Sequence, residues 1–303
     1  MAMSRSSTLV LGPVPYLWEG EAWRDFYFRI ADEAPVDVVS LGETVCSKRL
    51  HFFDPHFDAV LERLEAAGKT VHLATLALIT LERERRAQDK LLAREDRVFE
   101  VSDLSALHKL KGRPHTIGPL VNTYNAATAR LYAARGAQSV CLPPELPMTS
   151  IARIAEDAPE VSFEVSAFGK VPLAISARCA HARAKGHTKD NCQFVCAEDP
   201  DGLPVETLDS QPFLALNGVQ TVSHTCNVLM EELAALERHG VRRFRLSPQH
   251  CDMVGVAQIY RGVLDGTLAP DEGLARLREV YPGVPFSNGF IHGAVGAEWI
   301  DAA

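Results

Sequence analysis

Short runs rich in Val, Ile, Leu and Thr alternate with amphipathic stretches over roughly the first 165 residues. The runs end at Gly, Pro, Ser or acidic residues, as strands commonly do. They predict strands at 8–12, 36–41, 70–75, 97–101, 115–118, 139–142 and 161–166. Apolar residues recur at helical period between several of them, which predicts helices at 18–31, 55–68, 76–94, 123–136 and 149–158.

Alternation of this kind predicts an α/β fold with a parallel sheet. The many repeats, without a glycine-rich dinucleotide fingerprint, favour a closed or nearly closed (β/α) barrel over a doubly wound sheet. Strands at 213–217 and 243–246, flanking a helix at 227–239, are expected to complete the barrel. With 47% hydrophobic residues, the chain can bury one large core. We therefore expect a single barrel-like domain over residues 1–303, ending in a less regular tail at 263–303.

One segment, at about 176–208, interrupts this rhythm. It contains three cysteines, several charges, two glycines and an Asp-Pro-Asp-Gly turn signal, with little apolar periodicity. A long irregular stretch inside a compact domain is uncommon unless something organises it. We interpret it as a cysteine-bearing insertion that a metal centre could organise.

The insertion carries Cys179, Cys192 and Cys196, and a fourth cysteine, Cys46, follows the second predicted strand. Loops that follow the strands of a parallel barrel gather at one face, so these four thiols can meet. Four thiolates suit either a tetrahedral zinc or a [4Fe–4S] cluster, and the spacing alone leaves both open. Three cations lie near these cysteines in the sequence: Lys48, Arg49 and Arg178. They could offset the negative charge of a cluster, or they could equally be solvent-exposed residues at the rim of the site.

The other three of the seven cysteines are Cys141, Cys226 and Cys251. Free cysteine is a common small core residue, so we interpret these three as packing or bystander thiols. Neighbours in sequence rarely form a catalytic dyad, which argues against pairing Cys251 with His250.

The net charge of −8 argues against nucleic acid as a partner, because gripping phosphates requires clustered Lys and Arg. The apolar patch near the start, before Gly12, is too short for a signal peptide or a membrane span. No membrane span is expected elsewhere, and the cytoplasm is the expected location.

Several stretches resemble the UbiV-type proteins of bacterial ubiquinone biosynthesis, within the superfamily named after collagenase-like peptidases. The resemblance runs in order from about residue 11 to residue 249. It rests on LGETVCSKR at 41–49, NTYNA at 122–126, SARCAHAR at 176–183 with the two following cysteines, LNGVQT at 216–221 and RLSPQ at 245–249.

The resemblance implies a [4Fe–4S] cluster on Cys46, Cys179, Cys192 and Cys196. It also implies a heterodimer with a UbiU-like protein that carries its own cluster. Together the two resemble an oxygen-independent hydroxylase of the ubiquinone ring, with a ubiquinone precursor as substrate and prephenate suggested as the oxygen donor. The characterised fold of the superfamily is barrel-like.

Three other functions stay open: a peptidase-like hydrolase, an RNA-hydroxylating relative and a zinc-binding scaffold. The sequence has no His-Glu-x-x-His or Gly-x-Ser-x-Gly motif to support a hydrolase. The sequence alone does not identify the catalytic residues. Polar residues at or just after strand ends are candidates for substrate contact or for simple capping: Asn122, Tyr124, Asn125, Glu145, Arg245 and Gln249. His181 and His224 are candidates for ligation or proton transfer, or for ordinary hydrogen bonding.

Overall fold

A computed structural model of the chain describes residues 7–301. The predicted tail extends to Ala303, so its last two residues lie outside the described part. The strands are β1 (Thr8–Leu11), β2 (Val38–Leu41), β3 (Thr70–Ala74), β4 (Val98–Val101), β5 (His115–Ile117), β6 (Ala137–Cys141), β7 (Phe163–Ile175), β8 (Leu203–Glu206), β9 (Pro212–Asn217), β10 (Gln220–Val228), β11 (Arg243–Leu246) and β12 (Phe286–Ser287).

Eight parallel strands form a closed barrel. Strands β1 to β7 pair in sequence order, and β11 pairs with both β1 and β7, which closes the sheet. Their short apolar runs are buried on both faces, as expected for strands covered by helices outside and packed side chains inside. The predicted (β/α) barrel is therefore confirmed, and the loops after the strands share one end of it.

The helices are α1 (Gly20–Glu33), α2 (Leu50–Ala66), α3 (Glu82–Leu92), α4 (Leu104–Leu110), α5 (Ala126–Ala134), α6 (Met148–Asp157), α7 (Ala180–Ala184), α8 (Leu233–Arg238), α9 (Met253–Leu264) and α10 (Pro270–Val280). The sequence prediction missed the short α4, whose start is capped by Asp103 accepting a hydrogen bond from Ser105 N at 2.8 Å. The start of α3 is later than predicted, because Glu84 accepts hydrogen bonds from Thr80 N and Leu81 N and fixes the first turn there.

Strand β7 is much longer than predicted and belongs to two structures. Its first half completes the barrel, and its second half continues beyond the barrel to pair antiparallel with β10. The sheet then extends through β9 to β8. The prediction that residues 213–217 complete the barrel was therefore wrong, because those residues form β9 in this extension. The helix predicted at 227–239 begins only at Leu233, because β10 runs through Val228.

Arg245 on β11 occupies the barrel interior together with two carboxylates. Its guanidinium donates to both Glu100 oxygens, at 2.7 and 2.9 Å, and to Glu164 at 2.9 Å. Burial alone would raise the pKa of Glu100, but attraction and hydrogen bonds from Arg245 outweigh it and hold that pKa below its ordinary value. The buried positive charge is thus matched by carboxylates of the barrel itself.

The C-terminal region is more regular than predicted at 270–280, where α10 packs against α9. Short β12 then pairs with β10, and turns follow. None of the helices among residues 7–301 is both long and apolar enough to cross a membrane.

Candidate functional site

Four of the cysteines line a single cavity at the loop end of the barrel: Cys46, Cys179, Cys192 and Cys196. Cys46 lies in the loop after β2, where a short 3-10 turn begins at Ser47. Cys179 caps α7, and Cys196 lies in a second 3-10 turn, Val195–Glu198. The structure therefore brings together the four residues that the sequence singled out, from two regions that are far apart in the chain.

The other three cysteines lie elsewhere. Cys141 and Cys226 are buried on β6 and β10, and Cys251 packs against the core after β11. Burial raises the pKa of each of these three thiols, with neighbouring carboxylates adding to the effect for Cys141 and Cys251. These environments favour unreactive thiols, as expected of packing residues.

Lysine side chains tie the cysteine-bearing segment to the loop that carries Cys46. Lys48 Nζ donates to the carbonyl oxygens of Lys189, at 2.5 Å, and Asp190, at 3.1 Å. Lys189 Nζ donates in turn to Ala177 O at 2.8 Å. Lys48 is thus a clamp between the two regions, whereas Arg178 is exposed to solvent.

His181 holds the segment against the sheet extension. Its Nδ1 accepts from Gly218 N at 3.4 Å, so its Nε2 carries the proton and donates to Asp199 at 2.9 Å. Burial lowers the pKa of His181 despite the favourable effect of Asp199. Both ring nitrogens are therefore occupied, which favours the structural interpretation of this histidine. His224 contacts the carbonyl oxygen of Phe213 through Nδ1 at 3.0 Å.

Arg49 is a buried cation in the wall of the cysteine cavity, with 1% of its surface exposed. It donates to Pro15 O at 2.7 Å and to Asn217 Oδ1 at 2.8 Å. Its Nε has no hydrogen-bond partner among residues 7–301, and its guanidinium forms no ion pair with a carboxylate of those residues, although the charge of buried Glu43 acts on it. A buried guanidinium without a carboxylate, beside four sulfurs, suits an anionic group bound by thiolates.

Burial and the charge of Arg49 have opposite effects on the pKa of two of these thiols. Burial raises the pKa of Cys46 and Cys196, and the charge of Arg49 opposes that rise at both. Ala182 N also donates to Cys179 Sγ at 3.4 Å, an N–H contact of the kind that stabilises a thiolate ligand. Within the described residues, no three His, Cys, Asp or Glu side chains converge closely enough to hold a single metal ion. The four cysteines line one cavity without converging on a single point.

Glu43 shapes the loop before Cys46 and was not singled out by the sequence. Its Oε1 accepts from Val45 N at 2.6 Å and Cys46 N at 3.0 Å. The side chain is buried, and burial raises its pKa in spite of nearby Arg49. The only sequence signal was its place in the stretch at 41–49, three residues before a cysteine.

Most of the polar residues at strand ends are structural. Asn125 caps α5 by accepting from Thr128 N at 2.8 Å, and Tyr124 donates to Glu145 at an exposed position. Asn122 ends a 3-10 turn in the left-handed conformation. Gln249 is buried at the barrel mouth, where its Oε1 accepts from Tyr16 at 3.0 Å.

A second cavity opens at the barrel mouth. Its lining combines prolines with polar groups, including Tyr16, Lys170, Arg245 and Ser247. Pro15 lines this cavity, while its carbonyl oxygen accepts from Arg49 of the cysteine cavity. The two cavities are therefore neighbours across a single layer of residues.

The chain was compared with solved structures and with models of protein families. The solved structure described as the U32 peptidase Mk0906 is 11% identical to this chain, covering 82% of it and 96% of that chain, with a TM-score of 0.43. A family model described as peptidase family U32 matches residues 25–301. Because that match spans most of its length, the chain belongs to peptidase family U32.

Proposed function

We propose that Cys46, Cys179, Cys192 and Cys196 hold a [4Fe–4S] cluster, and that the chain is the iron–sulfur subunit of an oxygen-independent hydroxylase in ubiquinone biosynthesis. The observation that carries the proposal is the gathering of these four thiols around one cavity with buried Arg49, which forms no ion pair with a carboxylate of residues 7–301. The resemblance to UbiV-type proteins supports the pathway and a heterodimer with a UbiU-like partner.

When bound, such a cluster supplies one-electron transfer. The protein's own groups would fix its site: Arg49 offsets negative charge, Ala182 N donates to the Cys179 sulfur, and Lys48 holds the two cysteine regions together. The resemblance points to a ubiquinone precursor as substrate and to prephenate as oxygen donor. The barrel-mouth cavity is the natural place for a small molecule, because barrel enzymes bind substrates at that end.

Zinc is the main alternative at the same residues. It would require the four sulfurs to close around one ion at about 2.3 Å. Among residues 7–301 no three candidate ligands converge on one ion, which supports a cluster of several metal atoms over a single zinc.

Metal and sulfide analysis of anaerobically purified protein tests the cluster. We expect brown protein with about four irons and matching acid-labile sulfide per chain. Stoichiometric zinc without sulfide would contradict the proposal and favour a zinc-stabilised scaffold.

Co-expression with a UbiU-like relative tests the role as a subunit. We expect a stable heterodimer that hydroxylates a ubiquinone precursor without oxygen, and no hydroxylation by either chain alone. Peptide hydrolysis by this chain alone, unaffected by removal of iron, would instead favour the peptidase function.

A further inference from the structure

A positively charged depression lies on the surface of the cysteine-bearing segment. Its wall contains Arg178, Arg183, His187 and Lys189, and these four residues define what is called here the basic depression. No carboxylate of residues 7–301 lines it. The whole chain has the opposite character, with a net charge of −8. A local surface of cations on an acidic protein is suited to a negatively charged partner.

The cations of the basic depression are not neutralised by ion pairs. Arg178, Arg183 and Lys189 form no ion pair within residues 7–301, and both arginines are exposed to solvent. Lys189 donates its hydrogen bond to a carbonyl oxygen, which leaves its charge uncompensated. These three charges are therefore available to a partner.

The carboxylates of the same segment lie outside the basic depression. Glu198 and Asp199 pair with Lys185 at 3.0 and 3.4 Å. Asp199 also accepts a hydrogen bond from His181. Asp190 is exposed and lines the neighbouring groove, not the depression. The depression therefore keeps a net positive charge although acidic residues are close in the sequence.

The basic depression adjoins the cysteine cavity. Cys179 and Lys189 line both of them. Lys48, which also forms no ion pair within the described residues, lines the cysteine cavity and the neighbouring groove. A group held by the four cysteines would therefore lie next to this cationic surface. Electron transfer requires such closeness, because its rate falls steeply with distance.

We propose that the basic depression is the docking site of an acidic one-electron carrier protein, which exchanges electrons with the cluster held by Cys179 and the other three cysteines. The inference rests on the proposed cluster. In each transfer the reduced carrier would lose one electron and the cluster would gain it, with no bond made or broken. The wall consists largely of exposed side chains, which suits a protein surface better than an enclosed small molecule.

Electrostatic attraction is a sufficient basis for such a complex. Redox complexes have small interfaces and bind weakly, so charge steers and orients the two proteins more than buried apolar area does. Unpaired cations around the point of electron entry supply that attraction. A carrier with an acidic surface would thus be directed to the part of the chain nearest to the cysteines.

Titration calorimetry with an acidic flavodoxin tests the docking on the full chain purified anaerobically. The flavodoxin is oxidised in this experiment, so that binding is measured without electron transfer. We expect binding at about 50 mM NaCl and a dissociation constant at least about tenfold higher at about 500 mM, because salt screens the attraction between exposed charges. Iron is measured on the same samples, which tests the proposed cluster separately.

Two double variants of equal net charge locate the docking site. Arg178→Glu with Arg183→Glu reverses the charge of the basic depression and should weaken flavodoxin binding at least about tenfold at low salt. Arg135→Glu with Arg238→Glu changes two exposed arginines that precede β6 and β11, at the opposite end of the barrel, and should bind like the wild type. Both double variants should keep their iron.

Stopped-flow reduction of the cluster provides a second readout. Flavodoxin hydroquinone should reduce the Arg178→Glu, Arg183→Glu protein about tenfold more slowly than the wild type at low salt, because fewer productive encounters form. Reduction by dithionite should change far less, because this small reductant needs no docking surface. A slower reaction with both reductants would indicate damage to the cluster environment and would contradict docking at the depression.

Several outcomes would overturn the proposal. Iron-loaded protein that binds no flavodoxin at low salt would leave the cluster standing and end the docking inference. Equal weakening in the two double variants would show that overall charge, not this surface, governs binding. Displacement of flavodoxin by a UbiU-like partner would make the depression part of the subunit interface. Protein without iron would contradict the proposed function and, with it, electron entry here.

The test does not depend on one variant. If the charge-reversed protein fails to fold or loses iron, Arg178→Gln with Arg183→Gln removes the same charges more mildly. That variant should weaken flavodoxin binding and reduce its salt dependence. Unchanged binding and unchanged salt dependence in it would equally overturn the proposal.

Discussion

Two buried arginines, Arg245 and Arg49, differ in the partners that their guanidinium groups contact. In the barrel, Arg245 is matched by Glu100 and Glu164 at hydrogen-bond distance. In the cysteine cavity, Arg49 contacts a carbonyl and an amide oxygen but no carboxylate of the described residues. Both guanidinium groups are buried, but among the described residues only Arg245 has carboxylates at hydrogen-bond distance, whereas Glu43 acts on Arg49 through its charge without an ion-pair contact.

The difference separates a structural charge from one suited to a bound group. A buried cation that lacks a carboxylate is unfavourable unless other negative charge offsets it. Next to Arg49, Glu43 offsets part of the charge, and the four sulfurs can offset more once they are deprotonated by metal binding. The comparison therefore predicts that the two regions will respond differently to mutation.

The largest expected effect is on iron content, which should depend on the cysteines near Arg49 and not on Cys141 near Arg245. Cys46→Ala should lose most of the iron, because it removes a proposed ligand beside Arg49, and Cys179→Ala, Cys192→Ala and Cys196→Ala should do the same. Cys141→Ala, beside Arg245, should keep its iron, as should Cys226→Ala and Cys251→Ala. Iron analysis after anaerobic purification provides the measurement. An iron-free Cys141→Ala protein with iron retained in Cys46→Ala would reverse the comparison.

The next effect concerns folding. Arg245→Met should lower the free energy of unfolding by about 3–5 kcal/mol, because it leaves buried Glu100 without its cation and Glu164 paired only with Arg243. Urea denaturation provides the measurement. The matched control, Arg63→Met, breaks an exposed ion pair with Asp32 and should have a far smaller effect on the free energy of unfolding. Similar losses in both variants would mean that the barrel charges matter less than their burial implies.

Arg49→Met should mainly affect metal retention. No carboxylate of residues 7–301 forms an ion pair with Arg49, so we expect a smaller loss of folding stability than in Arg245→Met. Metal affinity should fall by about 10- to 100-fold, as is typical when a group supporting a metal site is removed. Iron loss to a chelator, followed over time, measures this, and Arg49→Lys should retain more iron because it keeps the charge. Unchanged iron retention in Arg49→Met would show that its charge is not needed by the bound group.

The smallest effect tests the placement of Arg49. Gly218 has a φ of +63°, and a Cβ there would lie 2.6 Å from Arg49 Nη2. Gly218→Ala should displace the guanidinium and speed iron loss. Gly266→Ala has a similar φ of +71° with open space around it, so it should cost only about 1 kcal/mol of backbone strain. Equal iron retention in the two variants would argue against a role for the close packing at Gly218.

Much of the barrel could be predicted from local patterns. Strands such as β3 and β4 are short apolar runs with clear ends, and their parallel order follows from the helices between them. The role of residues 213–217 could not be predicted, because β9 resembles a barrel strand in composition. Its place depends on β7 continuing past the barrel and offering an edge for β10, a tertiary pairing with no local signal.

Part of the candidate site could also be predicted from the sequence, and part could not. The four cysteines could be grouped because thiols are rare and loops after parallel strands converge. Arg49 was one of three cations that could offset a cluster's charge, but the sequence could not distinguish it from Lys48 and Arg178, and it did not indicate a role for Glu43. Both look like ordinary surface charges in the sequence, and their significance depends on complete burial and on which partners they lack.

The passage of β7 from the barrel into the antiparallel extension has a consequence for hydrogen exchange. Amides in both halves of one continuous strand should open together with the barrel, as a single cooperative unit. The cysteine-bearing segment that follows consists of a short helix, a 3-10 turn and loops, held largely by side chains such as Lys48 and His181. Its amides should therefore exchange far earlier, through a local opening that frees three cysteines while the barrel remains closed.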